Sequence, residues 1–154
     1  MQQIQQLWIC WACLILSLFI YGAMPFLLPP PPTSPPALQV VFVGALGFVG
    51  LLTAIATMFL RRFALIRPAR IGTLDIDTKA GFARFFTISM LVWVLSESIG
   101  IYGLILFFLY RVPGPLYPFL VAAVLLLVFH APRTDSLRVK PSSAELARRD
   151  VKIG

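Results

Sequence analysis

The stretch from 91 to 110 narrows the choice of folds more than any other part of this chain. It is an apolar run long enough to cross a bilayer, and it carries one carboxylate, Glu97, near its middle. A spanning helix needs about 20 predominantly apolar residues. A charged side chain at that depth costs about 3 kcal/mol on insertion scales, so it faces a partner, a cavity or water rather than lipid. The helix around Glu97 is expected from about 85 to 110, and three more apolar runs accompany it, at about 7–28, 37–60 and 116–131. Only 12% of the residues are charged and 59% are hydrophobic, against about a quarter charged in soluble domains. The fold expected is all-α and polytopic: a bundle of four transmembrane helices within 1–132, followed by a basic tail at 133–154.

The connections set the expected orientation. Between the second and third runs lie Arg61, Arg62, Arg67, Arg70, Lys79 and Arg84, and the tail carries six more basic residues. The two opposite loops hold none and one, Arg111. Positive charge collects on the cytoplasmic side, which places both termini and the long connection there, in an inner (cytoplasmic) membrane. The net charge of +7 therefore reads as topology and headgroup contact, not as nucleic-acid binding. Arg61, Arg62, Arg67 and Arg70, interleaved with Phe63, Leu65 and Ile66, suit a segment lying on anionic lipid, or a docking face for another subunit. The proline run at 29–36 is a stiff spacer, and Pro68 and Gly72 are expected to break the long connection, with Asp77 or Thr78 capping the next helix. Residues 111–115, with two prolines and a glycine, form a tight turn. Residues 142–145 have the pattern of a capping box.

Two sets of small residues mark helix seams. Gly44, Gly47, Gly50 and Ala54 follow one another along the second run, and Ser89, Gly100 and Gly103 line the third with Ser96. In lipid, burying apolar surface gives little drive, so small residues act by letting backbones approach. Glu97 flanks the second seam, with Ser96 and Ser98 beside it and Tyr102 farther along. It is either a protonatable site or a carboxyl satisfied by a serine, a tyrosine or helix backbone.

Residues 96–106 read Ser-Glu-Ser-Ile-Gly-Ile-Tyr-Gly-Leu-Ile-Leu. This resembles the carboxylate helix of the rotor-ring c subunits of rotary ATP synthases. The resemblance implies an ion-carrying Glu97 with Ser98 and Tyr102 near the site. It extends in outline to the preceding glycine-bearing helix and arginine-containing loop. The chain departs from that family in spacing its glycines by three rather than two, and in having a longer loop and an extra helix on each side.

Other reactive residues are few. Cys10 and Cys13 form a C-x-x-C, but no second cysteine pair exists to pass electrons to a quinone-linked disulfide chemistry, and no histidine follows for haem attachment. His130, the only histidine, is a candidate axial ligand for a metal-centred pigment or, more plainly, an interfacial hydrogen-bonding residue. No phosphate-cradling loop, zinc cluster or nucleophile–base set is evident, so the chain is expected to be neither an enzyme nor dependent on a cofactor. The leading expectation is an accessory subunit of a larger membrane complex, contacting other subunits or copies of itself. The alternative is c-subunit-like proton or cation handling at Glu97. A C-terminal fluorescent-protein fusion is expected to fluoresce and a C-terminal alkaline phosphatase fusion to be inactive; the opposite pair of results reverses the orientation.

Overall fold

The structure, a computed structural model, describes residues 2–28, 36–70 and 78–132. The proline spacer at 29–35, Gly72, Asp75 and Asp77 of the long connection, the basic tail with its 142–145 motif, and the Arg70 side chain lie outside the described residues. The described residues are all-helical: α1 (Gln2–Leu27), α2 (Pro36–Arg61), α3 (Arg67–Arg70), α4 (Lys79–Tyr110) and α5 (Leu116–Phe129). Helices α1, α2 and α4 contain spans long and apolar enough to cross a membrane, and α5 is a shorter apolar helix.

Local chemistry explains most of the boundaries. Thr78 caps α4, its hydroxyl accepting from the Gly81 amide at 3.1 Å. At the other end Arg111 adopts a left-handed φ of 54° and its amide bonds the Phe107 carbonyl. The prolines that follow cannot continue a helix, and the chain reverses into α5. The long connection departs from expectation at Pro68, which does not end the helical path. Residues Arg62–Ile66 form a π turn, and helix resumes as α3 with Pro68 inside it. A proline in regular α-helix clashes with the carbonyl four residues back; here the wider π turn accommodates it, and the Arg67 amide reaches the Arg62 carbonyl.

Helix α4 is the hub. It packs on α5, α2 and α1, whereas α1 and α2 scarcely meet. It buries 44% of its span, against 11% for α1 and for α2. The α4 seam makes this possible. Ser89, Ser96, Gly100 and Gly103 are all buried. A Cβ on Gly100 would stand 2.5 Å from Leu18 Cδ2, and one on Gly103 would stand 2.7 Å from Phe119 Cβ and 3.0 Å from the Leu116 carbonyl. The α2 stripe behaves differently. Gly50 faces Phe119 and Ala54 packs on the core, but a Cβ on Gly44 or Gly47 would meet nothing within 4 Å. Steps of three residues fall about 60° short of a full turn each time, so Gly44 lies about 120° around the helix from Gly50. The stripe winds off the seam.

Gly103→Ala is expected to destabilise the bundle by about 1–3 kcal/mol, because a backbone carbonyl must yield. Gly100→Ala should cost less, since it presses on the tip of a flexible leucine, and Gly44→Ala should be neutral. Unfolding of the three variants in mixed micelles tests this ranking; equal effects at 44 and 103 would refute it.

Candidate functional site

Two polar clusters hold the helices together, and each uses residues far apart in sequence. The first surrounds Glu97, which is half-buried where α1 lies against α4. Its Oε1 accepts from the Ser17 hydroxyl and, at 3.1 Å, from the Tyr21 hydroxyl. Both donors stand one turn apart on α1, so a single face of that helix reaches the carboxyl.

The residues grouped with Glu97 from sequence are placed otherwise. Ser96 donates to the Val92 carbonyl at 2.8 Å and Ser98 to the Leu95 carbonyl at 2.7 Å, each within its own helix. Tyr102 packs, partly buried, against the hydrophobic core. Neighbours at i±1 on a helix point about 100° away from each other, so the adjacent serines do not face what Glu97 faces. Ser17 and Tyr21 carry no sequence signal beyond being hydroxyls at helical spacing in an apolar run.

The second cluster closes the C-terminal end of α5. The helix has 14 residues and is therefore about 21 Å long, well short of the roughly 30 Å hydrocarbon thickness. The last turn of any helix leaves its carbonyls without helical partners, and in hydrocarbon each unpaired group costs several kcal/mol. Here every one has a donor. The Leu126 carbonyl accepts from the His130 amide at 2.8 Å and lies 2.8 Å from His130 Nδ1; the Val128 carbonyl accepts from Ala131 at 3.2 Å. The other three are reached from three different helices. Trp11 Nε1 on α1 donates to Leu127 at 2.9 Å, an Arg61 Nη on α2 to Phe129 at 2.7 Å, and Trp93 Nε1 on α4 to His130 at 2.8 Å. The Arg61 guanidinium also lies 5.8 Å from the Phe129 ring centre.

His130 is thus a helix cap, 3% exposed, at the wall of a cavity of about 60 Å³. Pockets for cofactors run to several hundred Å³, so this cavity does not fit a pigment macrocycle. Arg62 and Arg67 line a shallower groove of about 320 Å³ with Phe59 and Phe63, whose rings stack at 5.9 Å. Cys10 is half-buried and Cys13 exposed, both as free thiols. Among the described residues no group of three or more metal-ligating side chains comes together.

The described residues are all-helical, three of their helices are long and apolar enough to span a membrane, and the polar contacts among those helices are interhelical ties. Comparison with protein-family models, curated proteins and solved structures gave no match.

Trp93→Phe removes the donor to the buried His130 carbonyl and is expected to destabilise the bundle by about 1–3 kcal/mol. Tyr21→Phe should cost about 0.6 kcal/mol, the average for a hydrogen bond between membrane helices. A double-mutant cycle with Glu97→Leu checks that second value; additive losses would show that Tyr21 and Glu97 are not coupled.

Proposed function

We propose that this protein is a structural subunit of a larger inner-membrane assembly, embedded by its helices with both termini and the basic connection in the cytoplasm. The observation that carries the reading is where the buried polar side chains go. Trp11, Arg61 and Trp93 tie down one helix end, and Ser17 and Tyr21 tie α1 to Glu97. These groups hold the fold together rather than forming a reaction centre. The outer surface supports the same reading. Helices α1 and α2 present most of their apolar area outward, and the Gly44–Gly47 stretch is an open small-residue face. Close backbone approach by another membrane helix is what such a face permits.

Purification of the native complex in mild detergent should recover the protein with a stoichiometric membrane partner. Gly44→Leu with Gly47→Leu should reduce that recovery about tenfold while the isolated chain stays folded. A stable monomer with no partner and no self-association argues against the subunit reading.

One observation favours Glu97 as a proton-holding group, in the manner the resemblance to rotor-ring subunits implies. The Ser17 hydroxyl has a single hydrogen but two acceptors, the Leu14 carbonyl at 2.7 Å and Glu97 Oε1. A proton on Glu97 relieves that shortage, because Glu97 then donates to Ser17 while Ser17 donates to Leu14. Infrared difference spectra should contain a protonated-carboxyl band that disappears in Glu97→Gln. Proton flux in reconstituted vesicles that is indifferent to Glu97→Leu would sink the carrier role.

A further inference from the structure

Among the described residues, one buried side-chain polar atom has no hydrogen-bond partner. His130 is 3% exposed, and its Nε2 makes no hydrogen bond. Its other ring nitrogen, Nδ1, lies 2.8 Å from the Leu126 carbonyl. A carbonyl oxygen only accepts, so Nδ1 carries the hydrogen and Nε2 of the neutral ring is a bare acceptor. A second proton would place a cation in the same small cavity as the Arg61 guanidinium, so the neutral ring is the form that fits. An acceptor buried this deeply calls for a donor such as a hydroxyl.

The cavity's size and setting indicate what brings that donor. About 60 Å³ of space is bounded by Arg61, Ser89, Phe85, Leu65 and Ile66 along with His130. That volume suits the tip of a small polar group and no more. Ile66 is also a wall of the outer groove of about 320 Å³ that holds Arg62, Arg67, Phe59 and Phe63. The two depressions thus share one side chain, and residues of the π turn between α2 and α3 line both. Arg61, the last residue of α2, lines the inner cavity, and Arg62, the first of the π turn, lines the outer groove. Two guanidinium groups beside stacked aromatic rings offer a place for a phosphate diester and the start of an acyl chain. Basic pockets between membrane helices take lipid headgroups by this chemistry.

We propose that the paired depressions bind one anionic phospholipid with a hydroxylated headgroup, of the phosphatidylglycerol class. Arg62 and Arg67 hold its phosphate, Phe59 and Phe63 its proximal chain, and a headgroup hydroxyl enters the inner cavity to donate to His130 Nε2. The proposal rests on membrane placement of this helix end and is independent of the subunit reading. A partnerless protein would keep the site.

The test is native mass spectrometry of the full chain in mild detergent, offered phosphatidylglycerol, phosphatidic acid and phosphatidylethanolamine with matched acyl chains, and separately soluble glycerol phosphate. Phosphatidylglycerol should be retained about five- to tenfold over phosphatidic acid, the contribution of one hydrogen bond. Phosphatidylethanolamine should be retained less, since its ammonium would enter beside Arg61. His130→Leu should bring the first ratio to about one, and Arg62→Gln with Arg67→Gln should weaken both anionic lipids. Should His130→Leu fail to fold, Ser89→Leu plugs the cavity while sparing the helix-end hydrogen bonds, and should remove the same preference. Equal retention of the two anionic lipids by the unaltered protein overturns the proposal. So do an unchanged preference in both cavity variants, displacement of lipid by glycerol phosphate at equal concentration, or no lipid retained, as when the cavity holds only water.

Discussion

A helix that stops short inside a bundle of longer ones must do something with its last carbonyls, and the rest of this structure follows from how α5 does it. Two of those carbonyls are met by amides of its own cap, and three by side chains sent from α1, α2 and α4. Each of these bonds joins two elements with one donor, so the position of every long helix is referred to the same point. The apolar seam along α4 supplies close packing but little directionality. The donors supply direction. That division of labour explains how α1 and α2 are both fixed although they scarcely touch each other.

The Glu97 cluster works on a smaller scale with the same logic. It fastens only α1. A carboxyl is a strong acceptor, and two hydroxyls on one helix face meet it. A tie and a proton carrier need much of the same chemistry: a carboxyl, neighbouring hydroxyls and small residues that let helices close around it. This shared requirement is a physical reason why residues 96–106 resemble a rotor-ring helix closely while the preceding helix and loop do so only in outline.

Much of the fold was legible in the sequence. The long apolar runs marked three of the helices. Thr78 was one of two candidate caps for α4, which starts at Lys79 and not near 85, and the small residues of α4 lie in the buried seam. Glu97 stood out because a charge in an apolar run is conspicuous. Its partners did not, because helix periodicity says which residues share a face but not which faces meet across 76 or 80 positions. Trp11 is silent in the sequence for the same reason, since its indole N–H acts on a carbonyl 116 residues away. Of the α2 stripe, Gly50 and Ala54 meet the rest of the bundle, whereas spacing by three carries Gly44 and Gly47 off that contact face. Pro68 was read as a break because proline opposes α-helix, and the π turn that accommodates it has no signature in composition.

The order in which a chain is made gives the α5 end a temporal meaning as well. Every side-chain donor that fastens it, Trp11, Arg61 and Trp93, is synthesised before the carbonyl it serves at 127, 129 or 130. Helices α1, α2 and α4 therefore lack these restraints until the last apolar segment, α5, is made. That segment acts as the closing piece of biogenesis. A chain interrupted within α5 would hold most of its hydrophobic residues and still lack the point on which the long helices are registered.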